Sequence, residues 1–91
     1  MIYHKDDSFV ARRLDEELIL IPVRNKISDM NYIYILNEVG ARIWELIDGL
    51  RDAKDIVRII QEEYEPVEDL EADLLEFIAD LEKIGAIRPS A

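Results

Sequence analysis

The sequence predicts an α+β fold, a three-stranded antiparallel sheet followed by a three-helix bundle in the order β-β-β-α-α-α. Three observations carry that expectation. Residues 8–36 contain three short stretches of strand-like apolar pattern. From residue 37 onward the apolar spacing lengthens to that of a helix. Cap and breaker residues, Asn37, Gly49, Asp52, Pro66 and Gly85, then divide that part into three segments. Ninety-one residues make one domain, over 1–91.

The first strand is expected over residues 8–14, with Phe9, Ala11 and Arg13 on one face and Val10, Arg12 and Leu14 on the other. Asp15-Glu16 reads as a tight hairpin turn, although it lacks the Asn-Gly or Asp-Gly pair that favours the primed types. Residues 17–23 form the second strand, whose run Leu18-Ile19-Leu20-Ile21 predicts cover on both faces. Pro22 has no amide hydrogen for the ladder, so the strand ends there or lies at an edge. Residues 24–30 are a mostly polar connection. The third strand covers residues 31–36, where Tyr32, Tyr34 and Leu36 alternate with Ile33 and Ile35.

Asn37 is placed to cap the first helix, its side-chain oxygen taking an amide that the first turn leaves unpaired. Val39, Ile43, Trp44 and Ile47 follow at helical spacing, and Gly49 supplies a left-handed residue to end the helix. Gly40 lowers helix propensity in the first turn, which points to close backbone packing against a strand or neighbouring helix. Asp52 caps the second helix, with Asp55 three residues on, where the helix dipole favours a carboxylate. Ile56, Val57, Ile59, Ile60 and Tyr64 form its buried side, and Glu65-Pro66 breaks it. The third helix starts between Pro66 and Asp69 and is the longest. Its apolar stripe is Leu70, Leu74, Phe77, Ile78, Leu81 and Ile84, its acids crowd the N-terminal half, and Gly85 stops it. Ala86-Ile87-Arg88 is expected as a short extended tail. The first two helices, joined through residues 48–52, resemble a helix-turn-helix with a third helix packed across them. With the sheet alongside, the arrangement is winged-helix-like.

Composition narrows function by exclusion. The chain has no cysteine, so disulfides, thiol catalysis and thiolate metal sites are out. No apolar run approaches the roughly 18 residues of a membrane span, and the N-terminal residues lack the apolar region of a signal peptide. A cytoplasmic protein that contacts no membrane is the expectation. The net charge of −10 is uneven: residues 1–45 carry eight acids against six bases, residues 46–91 thirteen against five. Residues 61–82 hold ten carboxylates and neither Lys nor Arg. Such a field repels nucleic acid and anionic membrane at long range. It either keeps a small protein dissolved or attracts a basic partner.

No reaction centre assembles from these residues. His4, the only histidine, lies in a polar N-terminal lead and reads as exposed and mobile. Asp6 and Asp7 stand too close to it in sequence to complete a metal cage. The aliphatic hydroxyls are Ser8, Ser28 and Ser90, with nothing to orient His4 as their base. The pairs Asp69/Asp73, Asp73/Glu76 and Glu76/Asp80 are neighbours on one helix. In solvent such pairs merely repel by about 0.2–0.5 kcal/mol, whereas acid–base catalysis needs pKa values driven apart in a cleft. The expectation is a protein without catalytic residues, cofactor or metal. A DNA reader also fits poorly: the second helix sets Lys54 and Arg58 against Asp52, Asp55, Glu62 and Glu63, and phosphate contact needs several cations.

A three-stranded sheet in so small a domain exposes an edge unless a loop, partner or ligand covers it. Residues 31–35 carry no charge or proline to block pairing there. An extended peptide can add to such an edge, its main chain giving affinity and pockets for alternate side chains giving specificity. The same pattern fits a packed strand whose tyrosines cover the core. A third helix bordering the edge would make a groove with an acidic rim, suited to a strand with apolar anchors and Lys or Arg between them. A tail folded onto that border would close it.

The segment Leu36-Asn37-Glu38-Val39-Gly40-Ala41-Arg42-Ile43-Trp44-Glu45-Leu46-Ile47-Asp48-Gly49 resembles the signature of the pyrroloquinoline quinone biosynthesis protein D (PqqD) family. Asp52 through Ile56 to Tyr64 resembles that family's next block. Asp73 to Ile87, with Phe77-Ile78, Leu81 and Gly85-Ala86-Ile87, resembles its C-terminal block. The resemblance spans about residues 8–88. It implies a winged-helix-like peptide chaperone, a recognition element for ribosomally made, modified peptides. Such a protein binds the leader of a precursor peptide and presents it to a radical S-adenosylmethionine enzyme. It further implies strand addition to the third strand beside the third helix. The candidate peptide-binding residues are then Tyr32, Ile33, Tyr34 and Ile35 on the strand, with Asp73, Glu76, Phe77 and Asp80 along the helix. The Val39-Gly40 and Ile43-Trp44 choices look more like stand-alone relatives serving other peptide-modification clusters than the quinone pathway's own member. Competing readings are a winged-helix DNA-binding or protein-interaction domain, a subunit docked permanently on an enzyme, and a homodimer joined through the strand edge.

Overall fold

A computed structural model of the chain describes residues 2–23, 33–64 and 69–90. In chain order the elements are β1 (Tyr3–Lys5), β2 (Phe9–Leu14), β3 (Glu17–Pro22), β4 (Tyr34–Leu36), α1 (Glu38–Leu46), α2 (Ala53–Glu63), α3 (Leu70–Lys83) and β5 (Ile87–Pro89). The alternating stretches pair as an antiparallel sheet of order β2-β3-β4, and three helices follow it. The fold is therefore α+β, as the patterning predicts.

Pairing of Leu14 with Glu17 leaves Asp15-Glu16 as a two-residue turn, and Asp15 takes the positive φ of 57° that the turn requires. Aspartate tolerates that region better than most residues with a side chain. Central β3 sends Leu18 and Leu20 inward with Leu36 of β4, and all three are buried. The strand ends at Pro22, yet the Val23 amide still donates to the Ser8 carbonyl at 2.8 Å, so Pro22 opposite Phe9 is a pair that needs no amide hydrogen toward β2. The inner face meets Ile43, Trp44, Leu46 and Ile47 from the α1 segment, Ile56, Val57 and Ile60 from α2, and Leu74, Ile78 and Leu81 from α3 in one buried cluster.

Both predicted caps form. The Asn37 side chain accepts the Gly40 amide at 2.9 Å, and Asp52 and Asp55 make a reciprocal capping box. The first helix ends earlier than Gly49, at Leu46. The reason is local: the Asp48 carboxylate accepts the amides of Leu50 and Arg51 at 3.0 and 3.2 Å, turning the chain out of the helix. Gly49 still has a left-handed φ, 82°, but in the connection. β4 is also shorter than expected, since Ile33 precedes the strand. The expected connection over residues 24–30, residues 31 and 32, and the breaker Glu65-Pro66 lie outside the described residues.

The ends of the chain hold the main departure. The N-terminal residues are not a mobile lead: they form β1, which pairs antiparallel with the extended tail, β5, with Tyr3 opposite Pro89 and Lys5 opposite Ile87. The Asp6 amide donates to the Ala86 carbonyl at 2.9 Å, the Ser90 amide to Ile2 at 2.8 Å, and the Gly49 amide to Tyr3 at 3.0 Å. His4 is half-buried within this clip, its Nδ1 3.1 Å from Ser90 Oγ. The buried side chains of Ala86 and Ile87 pin β5 to the core, which a polar-looking N-terminus could not announce. No described helix is long and apolar enough to cross a membrane.

Arginine–carboxylate pairs tie the surface together. Arg42 of α1 donates from Nε and Nη2 to the two oxygens of Glu63 in α2, both at 2.8 Å, and Arg13 of β2 reaches Glu45 at 2.6 Å. The Arg42 guanidinium holds the Glu63 carboxyl below its ordinary range.

Two outcomes follow from this packing. Ile87→Ala, which hollows the clip's buried anchor, costs about 2–5 kcal/mol in urea unfolding. Arg88→Ala, which breaks a pair between an exposed arginine and the half-buried Asp6, changes stability by less than about 1 kcal/mol. The second outcome concerns acid. A carboxyl depressed in the folded state stabilises fully above its ordinary pKa, and that contribution is lost as pH falls through the depressed value. Glu63→Gln therefore flattens the fall in melting temperature between about pH 5 and pH 2 relative to the unsubstituted chain.

Candidate functional site

Where β4 runs into α1, the Phe77 ring of α3 comes against the chain. Gly40, in the first turn of α1, is buried there. A Cβ on Gly40 would lie 3.2 Å from Leu36 Cβ and 3.3 Å from Phe77 Cζ. The helix-weakening glycine is thus explained by the close packing its position predicts, against a strand residue on one side and a neighbouring helix on the other.

Beside this junction a groove of about 270 Å³ separates β4 from α3. Ile35, Leu36 and Asn37 form one wall, Val39, Gly40 and Ile43 of α1 the floor, and Leu70, Asp73, Leu74 and Phe77 of α3 the other wall. The lining is apolar except for Asn37 and Asp73. Asn37 uses its side-chain oxygen on the Gly40 amide, so Asp73 is the acidic residue of the groove. A spacing of three, four and seven residues puts Leu70, Asp73, Leu74 and Phe77 on one face of α3.

Along its paired side β4 follows β3, with Leu18 opposite Leu36, Ile19 opposite Ile35 and Leu20 opposite Tyr34. Among the described residues nothing pairs along its other side. The chain's C-terminal strand is engaged with β1 and does not cap this border.

The structure brings three of the eight candidate residues together: Ile35, Asp73 and Phe77 line the groove. Ile33 and Ile35 are 60% and 62% exposed, unusual for isoleucine. The Tyr34 side chain turns the other way, its ring centroid 6.3 Å from that of Phe9 at the margin of the core. Glu76 and Asp80 are exposed on α3 outside the lining. Asp80 continues the line of Asp73 two turns on, while Glu76 lies about 60° around the helix from Asp73. Tyr32 lies outside the described residues. The sequence reading missed Leu36, Asn37, Val39, Gly40, Ile43, Leu70 and Leu74 as groove residues. Gly40 carried a signal, its cost to the helix, whereas the others look like ordinary cap and core positions.

The α2 face that a helix-turn-helix would turn toward phosphate has its arginines engaged nearby. Arg58 pairs with Asp55 at 3.4 Å, and Arg51 in the preceding turn pairs with Asp48.

The sequence model of a family described as Coenzyme PQQ synthesis protein D (PqqD) matches residues 10–87. Two solved structures resemble the whole chain. One is TbiB1 in complex with the TbiA(beta) leader peptide: 26% identity, TM-score 0.77, covering 97% of this chain and 98% of that one. The other is lasso peptide synthetase B1 complexed with the leader peptide: 19% identity, TM-score 0.78, covering 98% of this chain and 100% of that one. At that lower identity the likeness speaks for the fold alone. No curated protein sequence matches the chain.

Proposed function

The chain belongs to the PqqD family, and from that membership we propose that it is a non-catalytic peptide chaperone. It binds the leader of a ribosomally made precursor peptide by strand addition at β4 and presents the peptide to a modifying enzyme. The observation that carries the reading is a strand border, unpaired among the described residues, running beside an apolar groove with an acidic residue in its wall. The TbiB1 complex with a leader peptide supports the same class of ligand.

The main chain around Ile33, Tyr34 and Ile35 offers the hydrogen-bonding border, to which the family resemblance adds Tyr32. A peptide strand laid there alternates its side chains, one row toward the groove and the next away. Phe77 and Ile35 meet the groove-facing row. Asp73, with Glu76 and Asp80 further along α3, attracts Lys or Arg of the peptide. Each exposed pair is worth about 0.2–1 kcal/mol, so these acids govern encounter rate and salt dependence more than final affinity. By the family resemblance, the enzyme that receives the peptide is a radical S-adenosylmethionine protein. The likeness to lasso peptide synthetase B1 is neutral on that enzyme's class.

Titration of the ¹⁵N-labelled chain with the precursor peptide encoded in the same gene cluster tests the site. Resonances of residues 33–36 and 70–80 shift. Saturating peptide that leaves them in place rejects strand addition here. Ile35→Lys leaves the unfolding midpoint nearly unchanged and costs more than about 1 kcal/mol of binding. Paired Glu76→Lys and Asp80→Lys replacements slow association at low salt and flatten its dependence on ionic strength. Leaving the chain out of a reaction between precursor peptide and the cluster's radical enzyme lowers modification; full modification without it removes the presenting role.

A further inference from the structure

The groove beside β4 has the size and lining to hold a side chain. Its volume of about 270 Å³ falls below the roughly 300–1,000 Å³ of small-molecule sites. Val39, Ile43, Leu70 and Leu74 leave its interior almost wholly apolar. Its size depends on a missing methyl group. A Cβ at position 40 would press Leu36 Cβ at 3.2 Å, an atom fixed to the β4 backbone, and would just touch the side-chain oxygen of Asn37 at 3.4 Å, held by its cap bond. The third neighbour, Phe77 Cζ at 3.3 Å, is the far end of a half-buried ring. The ring is the group able to yield, and it is itself part of the groove wall. Position 40 and the ring of Phe77 therefore set the groove's capacity jointly.

We infer that Gly40 and Phe77 are specificity-determining residues, which fit the groove to one bulky aliphatic or aromatic side chain of the bound peptide. Asp73, in the same wall, favours a Lys or Arg close to that anchor in the peptide sequence. The inference rests on the peptide-binding reading above and adds the chemistry of the residue that is read.

A displayed library of random dodecapeptides, selected in parallel on the full chain, on Gly40→Ala and on Phe77→Leu, tests it, with thermal unfolding of each chain alongside. Selection on the unsubstituted chain enriches peptides in which one position is restricted to Leu, Ile, Met or Phe with a cation nearby. Gly40→Ala moves that position toward Ala and Val, and Phe77→Leu moves it toward larger aromatics. In titrations with a soluble selected dodecapeptide, replacing its anchor by Ala costs the unsubstituted chain about tenfold or more in affinity. The same replacement costs Gly40→Ala distinctly less, a non-additivity that a simple loss of stability does not produce. Identical preferences on all three chains, or an equal anchor cost on the first two, overturn the inference while peptide binding stands. No enrichment over bare support on the unsubstituted chain overturns the peptide reading itself. Should Gly40→Ala fail to fold, the shift on Phe77→Leu decides alone.

Discussion

The sheet at the centre of this fold leaves each of its outer strands with one unpaired side among the described residues. Main-chain amides and carbonyls need partners, and among the described residues β3 finds ladder partners on both sides while the edge strands β2 and β4 each find them on one. A chain this small has obvious ways to close such a border, the simplest being to lay its own C-terminal residues there. It does not. β5 is held elsewhere, by the wholly buried side chains of Ala86 and Ile87 and by pairing with β1. That placement costs the ordering of two terminal segments, offset by apolar burial, the β1–β5 ladder and the flanking backbone bonds, and among the described residues β4 keeps its free side.

The second constraint is how closely α3 can approach that border. Three elements meet at Gly40: the end of β4 through Leu36, the start of α1, and α3 through Phe77. A glycine inside a helix weakens it by about 0.8–1.0 kcal/mol relative to alanine. Here the Asn37 cap offsets part of that cost in the same turn. A larger residue at position 40 would thrust into Leu36 and Phe77, so the packing of the junction and the room in the groove are decided at one position.

Local features were legible in the sequence and distant ones were not. The caps at Asn37 and Asp52 are statements about three or four neighbouring residues, so the sequence reading and the structure agree on them. The β2–β3 hairpin was legible for the same reason. By contrast, β1 and β5 are three residues each and pair across more than eighty residues of chain. No periodicity develops in three residues, and nothing local links Lys5 with Ile87. The end of α1 was misplaced because the Asp48 side chain turned the chain before Gly49 could. The groove was half legible. An alternating strand and an amphipathic helix supply Ile35 and Phe77 as candidates, but only the three-dimensional junction reveals that Val39 and Ile43, which look like core positions, also form its floor.

The acidity of α3 divides into a part the helix explains and a part it does not. Glu71 and Asp73 stand in the first turn, where the dipole stabilises negative charge, and Lys83 stands in the last, where it stabilises positive charge. Asp80 has Lys83 three residues on, a favourable helical spacing. Glu76 has no such account. It lies beyond the first turn, where the dipole's benefit has faded. Its neighbours three and four residues away are Ala72, Asp73, Ala79 and Asp80, two alanines and two like charges. A lysine at position 76 would make the isolated helix more stable, so folding does not favour a glutamate there. What it does is extend the negative field of Asp73 along the exposed side of the helix, next to a border whose own strand carries no charge. Negative charge kept against the helix's interest fits the basic peptide proposed above, whereas solubility could have been served at any exposed position.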